Sequence, residues 1–193
     1  MPDEPWHAPL DHALERNRRS PQHRFVQLAT IGLDGRPDVR TIVFRGFLGD
    51  SRDLMFTTDA RSAKCAEIER TPDVALCWYF TETREQFRYS GEARLVDAAA
   101  SDPNLGEARR HVWRSLPDDT RASFTWPAAG ARRDRTVDFP TTPPDPRSPL
   151  DSFVLMIFRP RAVDHLELDG DPQRRWRYAV DERGMWSMRE VNP

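Results

Sequence analysis

The sequence predicts a mainly β protein, an antiparallel barrel with helices packed on its outside. Short runs rich in β-branched and aromatic residues recur along most of the chain, whereas segments of helical composition are few. Helices and strands also do not alternate regularly, which argues against a parallel sheet with crossover helices. Neighbouring strands are therefore expected to pair in an antiparallel way and to close on themselves.

The composition is that of an ordinary globular chain. The 193 residues carry a formal net charge of −2, and 38% of them are apolar. We expect a single domain over residues 1–193, because this length and apolar content suffice for one core. Acidic and basic residues nearly balance, so the summed charge predicts neither a nucleic-acid partner nor a membrane partner. An anion site would have to be built locally.

Two features indicate a reducing, cytoplasmic setting. Cys65 and Cys77 are too few for a disulfide framework. The first residues contain no apolar stretch of the kind that a signal peptide needs, and no run of membrane-spanning length follows. The histidines are scattered without the spacing of metal ligands, so we predict no metal site.

The N-terminal half is predicted to hold a helix, a hairpin and a strand followed by a second helix. The first helix is expected at Leu10–Arg19, before the β-rich runs RFVQLATIG and PDVRTIVFRGF. Asp34-Gly35 between these runs is typical of a hairpin turn. The run DLMFTTD predicts a third strand, and a helix is expected over Ser62–Arg70, with Ser62 as its N-cap.

The remaining chain is predicted to be mostly strands around one helix and one loop. DVALCWYF and REQFRYSGEARLV predict two strands. Ala98–Ser115 has helical composition, although Pro103 is expected to break its start. A proline-rich stretch at about residues 116–149 predicts a long loop. The last predicted strands are SFVLMIFRP, AVDHLEL, RRWRYAV and MWSMREV.

The start of the helix at Ser62 is the first indication of a binding site. A helix N-terminus has unpaired N–H groups and a partial positive charge, which favour acidic residues in the first turn. Here Arg61 precedes the cap and Lys64 lies in the first turn. A bound anion such as phosphate would make this arrangement favourable. The helix alone leaves open a solvated surface on which the basic residues pair with nearby acids.

The strand RTIVFR adds two more cations. Residues alternate between the faces of a regular strand, so Arg40 and Arg45 are expected on opposite faces unless the strand has a bulge or an edge there. An arginine in an apolar strand needs a partner anion or an exposed position.

Five short motifs then occur in a definite order. They are RTIVFR from Arg40, FT from Phe56, SAK from Ser62, EQFRYSG from Glu85 and RWRY from Arg175. With this order and spacing, most of the chain resembles the pyridoxamine 5′-phosphate oxidase-like, FMN-binding split-barrel family. The resemblance implies an antiparallel split barrel with FMN as cofactor. The residues that it assigns to FMN are Arg40, Thr41, Ile42, Val43, Arg45, Phe56, Thr57, Arg61, Ser62, Lys64, Gln86 and Arg175.

The resemblance also implies how these residues divide the cofactor between them. Arg40, Arg61, Ser62 and Lys64 would bind the phosphate, and the backbone of residues 41–43, with Arg45 and Gln86, would follow the isoalloxazine ring. Relatives hold the cofactor in a groove between two subunits. A homodimer is therefore expected, in which Gln86 and Arg175 reach the flavin of the partner.

Departures from the vitamin-oxidising members bear on the substrate. Ala63 and Glu85 stand where the family motifs have arginine, and the stretch before Trp113 lacks the tyrosine, arginine and serine that hold a substrate phosphate. We expect an FMN-dependent oxidoreductase that acts on an unidentified small substrate, and we assign no catalytic residue. The alternatives are a flavin or haem carrier without turnover and a genuine pyridoxamine 5′-phosphate oxidase.

Overall fold

The computed structural model describes residues 4–193, and the elements below are those of this range. Its strands are β1 (Phe25–Ile31), β2 (Pro37–Leu48), β3 (Asp53–Asp59), β4 (Asp73–Phe80), β5 (Glu85–Val96), β6 (Phe153–Glu167), β7 (Arg174–Val180) and β8 (Trp186–Val191). Its α-helices are α1 (His7–Asn17), α2 (Ala63–Arg70), α3 (Pro103–Ser115) and α4 (Asp118–Ser123). In residues 4–193 we find no helix with the length and apolar character needed to span a bilayer.

Six of the strands close into an antiparallel barrel. The sheet runs in the order β3-β2-β1-β4-β5-β6-β7-β8, and β3 pairs with β6 as well as with β2. Strands β3 and β6 are the first and sixth strands in this order, so their pairing closes the first six strands into a ring. Strands β7 and β8 extend the sheet beyond the barrel. Every pairing is antiparallel. The predicted split-barrel fold is confirmed.

The barrel interior is filled mainly by aromatic side chains. Phe56, Trp78, Phe80 and Phe87 are each fully buried there. Burying a side chain of this size stabilises the folded state by roughly 1.5–3 kcal/mol. Helix α1 packs against the same core, and Trp6, just before it, is fully buried.

A second core lies on the outer side of β3 and β6. Helix α3 places Val112 and Trp113 against Phe153 of β6, and Phe124, just after α4, packs there too. The helix predicted over residues 98–115 begins only at Pro103, as the expected break at its start implies, and Pro103 occupies its first turn. The Asp102 side chain accepts a hydrogen bond from the Asn104 backbone N–H (2.9 Å) and caps the helix start, where proline lacks only an N–H that would be unpaired anyway.

Two predicted strands form one. The runs SFVLMIFRP and AVDHLEL belong to the single strand β6, which continues through Pro160 because the register between β5 and β6 shifts at Ser90/Gly91. Such an irregularity is where a proline is tolerated within a sheet. It also explains Gly91, since a Cβ there would lie 2.1 Å from the backbone oxygen of Arg159.

Other predicted elements need smaller corrections. Helix α1 begins at His7 and not at Leu10. The loop predicted at about residues 116–149 contains the short helix α4, and no strand occurs between α4 and β6. Ser62 is the N-cap of α2, as predicted, but its side chain makes no capping bond to the helix backbone.

Candidate functional site

An opening in the barrel wall lies between β2 and β3. These strands pair from Phe44–Phe56 to Leu48–Asp53, with a register shift at Phe44/Gly46, and then separate. Within the described range, no strand pairs with the edge of β2 that faces β3 at residues 37–43. A cavity of about 700 Å³ occupies the gap.

The cavity is lined by side chains and backbone from three parts of the chain. Strand β2 contributes Arg40, Thr41, Ile42, Val43 and Arg45. Strand β3 and the start of α2 contribute Thr57, Thr58, Asp59 and Lys64. The third part is the segment Phe124–Phe139, which we call the roof, together with Thr120 and Ser123. Most of the cofactor residues implied by the sequence are thus brought together.

Lys64 is the centre of the polar end of this cavity. Its Nζ donates hydrogen bonds to Ser62 Oγ (2.5 Å) and Thr58 Oγ1 (3.1 Å), at the N-terminus of α2. In the described residues no carboxylate oxygen lies within 4.0 Å of this ammonium group. Burial lowers the pKa of Lys64. A half-buried cation with only hydroxyl partners is a favourable place for an anion.

Lys64 is also the only lysine in the sequence, in a chain that otherwise uses arginine for its cations. An ammonium group is a compact charge with three rotatable donors, whereas a guanidinium is a planar fork. This contrast is a sequence signal that could have singled out Lys64 without any family comparison.

Arg45 is a second cation for which the described part of the chain provides no acidic partner. Its Nε donates a long hydrogen bond to Thr57 Oγ1 (3.4 Å), and none of the ion pairs found among the described residues includes it. Burial lowers the pKa of Arg45, and the charge of Arg24 acts in the same direction. The register of β2 against β3 shifts between Phe44 and Gly46, so the regular alternation of strand faces is interrupted at Arg45. Both arginines of RTIVFR can therefore line the same cavity.

Arg40 differs from Arg45 because its charge is already balanced. Its Nη2 lies 2.8 Å from the Glu67 carboxylate and 2.5 Å from that of Asp38, and its Nη1 donates to Thr30 Oγ1. Glu67 is buried on α2 and also accepts from the Thr30 hydroxyl (2.6 Å). Arg40 therefore fixes α2 against β2, and it lines the cavity while held there.

Arg61 does not line the cavity. Its Nε and Nη2 donate to the two carboxylate oxygens of Asp59 (2.8 and 2.6 Å), and the bonds and charge of Arg61 lower the pKa of that carboxyl group although burial opposes the shift. Its Nη1 donates to the Trp126 carbonyl (2.8 Å) and its Nη2 to that of Phe124 (3.4 Å). The guanidinium thus connects the end of β3 to the roof.

Three further residues of the sequence assignment lie away from this cavity. Phe56 is fully buried in the barrel core. Gln86 pairs with Leu166, which pairs with Arg175, so these residues form one row across β5, β6 and β7. The Arg175 guanidinium binds the Asp164 carboxylate through two bonds (2.9 and 2.8 Å), which raise the pKa of Arg175. The described chain does not bring Gln86 and Arg175 to its own Lys64.

The glutamate at position 85 has a structural explanation. Glu85 is buried, and its Oε2 lies 2.7 Å from Nε2 of the buried His165. Burial opposes ionisation of Glu85, but the bond to His165 prevails, and the pKa of Glu85 is lowered. Glu167 completes a cluster of possible metal ligands, but its carboxylate already accepts from Arg174 (2.6 Å). The Glu85–His165 pair joins β5 to β6 at the end of the barrel.

Comparison with known proteins places this geometry in a family. Residues 3–97 match the model of the pyridoxamine 5′-phosphate oxidase FMN-binding domain. The pyridoxine/pyridoxamine 5′-phosphate oxidase 2 of Arabidopsis thaliana is 34% identical over 98% of this chain and 97% of its own length. The crystal structure of a pyridoxamine 5′-phosphate oxidase-related, FMN-binding protein from Nostoc punctiforme superimposes with a TM-score of 0.94, at 43% identity and complete coverage of both chains.

A more distant structure shares the fold. PhzG from Burkholderia lata, crystallised with tetrahydrophenazine-1-carboxylic acid, has a TM-score of 0.77 at 23% identity, covering 100% of this chain and 94% of PhzG. The first two relatives establish more than the fold. The chain belongs to the pyridoxamine 5′-phosphate oxidase-like family, and its N-terminal half corresponds to that family's FMN-binding domain.

Proposed function

We propose that the cavity between β2 and β3 binds FMN, with the phosphate at the start of α2. The observation that carries this proposal is the pair of half-buried cations, Lys64 and Arg45, that face the cavity without a carboxylate partner among residues 4–193. Leaving such charges unpaired is costly, and a bound anion removes the cost. The match to the family's FMN-binding domain supports FMN phosphate as this anion.

The residues present fit both ends of the cofactor. The Lys64 ammonium, the Ser62 and Thr58 hydroxyls and the first N–H groups of α2 together suit a dianionic phosphate. The unpaired edge of β2 at residues 41–43 offers backbone donors and acceptors to the polar edge of a flavin ring, and Arg45 lies beside it. Arg40 would contribute charge from its place against Glu67. Arg61 is committed to Asp59 and the roof, so we assign it no phosphate contact.

We infer that the protein is an FMN-dependent oxidoreductase acting on a small molecule. When bound, FMN supplies two-electron chemistry by accepting and releasing a hydride. The chain's own part is to hold the cofactor, to screen it from water beneath the roof and to orient a substrate. The acidic side chains that line the cavity, Asp59 and Asp134, are bonded to Arg61 and Thr136, and we assign neither a proton-transfer role.

The proposal includes a homodimer. Gln86 and Arg175 lie away from the cavity of their own chain, on an outer surface of the sheet, where they could complete the cofactor site of a second copy. Within each chain, the inner and outer cores share β3 and β6, which supports a single domain over residues 1–193. The free cysteines Cys65 and Cys77 suit the cytoplasmic setting that we propose.

A genuine pyridoxine or pyridoxamine 5′-phosphate oxidase is the second candidate, because the Arabidopsis relative carries that name and aligns over nearly its whole length. A haem carrier is less well supported. The cavity-lining residues in the described range include no histidine, cysteine, methionine or tyrosine, so the cavity offers haem iron none of its usual axial ligands.

The cofactor proposal can be tested through the single lysine. Reductive methylation would modify one side-chain amine, Lys64, and mass spectrometry would follow its rate separately from the N-terminus. FMN should protect Lys64, whereas riboflavin, which has the same ring without phosphate, should protect it much less. An absorption spectrum of the purified protein should show bound oxidised flavin. Equal methylation rates with and without saturating FMN would refute the phosphate assignment.

Catalysis is tested separately. Peroxide release by the FMN-loaded protein from pyridoxamine 5′-phosphate would distinguish the second candidate from the first. We expect turnover far below the ordinary kcat/KM of about 10⁴ M⁻¹s⁻¹ or more, because the expected clamp for a substrate phosphate is missing before Trp113. Turnover in the ordinary range would identify the protein as such an oxidase.

A further inference from the structure

The two walls of the cavity differ in chemistry. The wall formed by β2, β3 and α2 presents Arg45, Thr57, Thr58 and Lys64. The roof presents Trp126, Val137 and Phe139, with alanines between them, and its charged residues 132–134 also line the cavity. In the described range, every aromatic side chain that lines the cavity comes from the roof, so a ligand that fills this space meets aromatic surface on that side. Ligand sites commonly combine a broad apolar wall with a few placed polar groups.

Three polar side chains of the roof are bonded within it, whereas the Arg132 guanidinium lines the cavity and has no bond among the described residues. The Trp126 indole N–H donates to the Pro140 carbonyl (2.9 Å). The Arg133 guanidinium donates to the carbonyls of Asp134 and Val137, and the Asp134 carboxylate accepts from Thr136. What Trp126 and its neighbours can still offer to a ligand is the surface of their rings and methyl groups.

The roof aromatics are also held in one arrangement. The Trp126 and Phe139 rings lie 5.0 Å apart between centroids, with an interplanar angle of 33°. The Arg133 guanidinium lies 4.3 Å from the centroid of the Phe139 ring. Even so, 37% of Trp126 and 47% of Val137 are exposed. A fixed aromatic pair with uncovered surface beside a cavity favours a flat apolar partner.

Arg61 holds this surface in place over the site. It is bonded to both oxygens of Asp59 and to the carbonyls of Phe124 and Trp126, and so fastens the first residues of the roof to the end of β3. Ser152 adds a bond to the Phe124 carbonyl (2.9 Å). The distance from Trp126 to the cofactor end of the cavity therefore depends on Arg61.

We propose that Trp126, Val137 and Phe139 form a binding face for a planar, apolar ring of the substrate, and that Arg61 is the positioning residue that holds this face over the cofactor. The inference rests on the proposed FMN function and adds a substrate class to it. Lys64, Arg45 and the edge of β2 are assigned to the cofactor, so the roof is the wall left for the substrate.

The experiment uses FMN-loaded wild-type protein and three matched probes. They are 2-naphthol, its saturated and non-planar counterpart decahydro-2-naphthol, and pyridoxal 5′-phosphate. Binding is measured by calorimetry and by the change in the flavin absorption band. The variants are Trp126→Ala, Trp126→Phe and Arg61→Ala, and the control is Arg147→Ala, an exposed arginine of the same loop that does not line the cavity.

We expect wild-type protein to prefer 2-naphthol to its saturated counterpart by about tenfold. Trp126→Ala should remove this preference, Trp126→Phe should keep most of it, and Arg147→Ala should leave it unchanged. Arg61→Ala should weaken 2-naphthol binding several-fold and speed tryptic cleavage after Arg132, Arg133 and Arg135, with an unchanged melting midpoint of the barrel. If Arg61→Ala does not fold, the Trp126 variants alone test the inference.

Three results would overturn the inference. They are the absence of a preference for the planar probe, tighter binding of pyridoxal 5′-phosphate than of 2-naphthol, and a loss of FMN affinity in Trp126→Ala as large as the loss for 2-naphthol. The last would show that the roof covers the cofactor itself. FMN uptake is measured first, so a failure of the proposed function is seen independently. The probe titration is then repeated on cofactor-free protein by tryptophan fluorescence, where a missing preference again contradicts the inference.

Discussion

Arg40 of β2 and Glu67 of α2 form a partly buried ion pair, with 2.8 Å between Arg40 Nη2 and Glu67 Oε2. The same carboxylate oxygen accepts from the Thr30 hydroxyl of β1. Two strands and a helix thus meet at one carboxylate, beside the cavity that Arg40 lines. This pair sets the position of the α2 N-terminus relative to the open edge of β2.

Replacing Glu67 by glutamine should therefore destabilise the fold. The variant keeps the shape of the side chain but leaves the Arg40 charge less balanced, and we expect the free energy of unfolding to fall by about 1–3 kcal/mol. Urea denaturation measures this change. The control is Glu69→Gln on the exposed side of the same helix, which should stay within about 0.5 kcal/mol of wild type. Equal stability of Glu67→Gln and wild type would show that the pair is not structural.

Charge reversal at Lys64 should abolish FMN retention and leave the fold intact. Lys64→Glu removes a charge-assisted bond and places a carboxylate beside the phosphate, which should weaken binding by more than about 2 kcal/mol, or roughly thirtyfold. Flavin content after gel filtration and the thermal unfolding midpoint are the two measurements. Arg114→Glu makes the same charge change on the exposed face of α3, and this variant should retain FMN. Retention by Lys64→Glu would contradict the phosphate site.

The affinity for FMN should fall at alkaline pH. Burial lowers the pKa of Lys64 from its usual value of 10.5, and the phosphate binds the protonated amine. The complex therefore holds a proton that the free protein loses above this pKa, so binding weakens as the pH rises through it. Lys64→Arg keeps its charge over this range and should show a flatter profile. FMN titrations between neutral and alkaline pH distinguish the two; identical profiles would argue against Lys64 as the phosphate cation.

Mixed dimers can show whether the cofactor site is shared. Lys64→Glu and Arg175→Glu should each lose FMN as homodimers if Arg175 acts on the partner's cofactor. In the mixed dimer, one site would carry both changes and the other would carry neither, so FMN content should return to about half of that of wild type. Co-expression with two affinity tags isolates the mixed species. No recovery would indicate that each site lies within one chain.

The Glu85–His165 pair should contribute to stability above acidic pH. Burial opposes ionisation of Glu85, yet the bond to His165 lowers the pKa of Glu85 below 4.5 in the folded state. A carboxyl group with a lowered pKa stabilises the fold above its unfolded value, and the contribution is lost as the pH falls through the folded pKa. Glu85→Gln should reduce this acid dependence, whereas Glu82→Gln on the exposed turn should not. Urea denaturation at pH 4 and pH 7 tests the difference.

Local sequence predicted the strands well because the signals for them are local. The Asp34-Gly35 turn has Gly35 at φ 82°, as a tight hairpin requires, and the run DVALCWYF coincides with β4. The motif order also predicted a common cavity for Lys64, Arg45 and residues 41–43, because neighbouring strands and the following helix start bring them together.

The parts that sequence could not predict depend on distant contacts. Arg61 precedes the α2 cap, which suggested a phosphate ligand, but its guanidinium turns to Trp126, 65 positions away. The family motif has arginine where this chain has Glu85. The reason for the glutamate became clear only from its bond to His165, 80 positions away. Arg40 showed no partner in its own strand beyond Asp38, and its second carboxylate comes from a helix that begins after one further strand, β3.

The divergence of β2 and β3 has a consequence for how the chain meets other chains. A strand edge with unpaired N–H and C=O groups is a template on which any extended segment can add, which is a common origin of aggregation. The roof lies against this opening, and its Pro127 has no N–H to join a ladder. The roof, which we propose selects the substrate, thus also hinders pairing of this strand edge with a strand of another molecule.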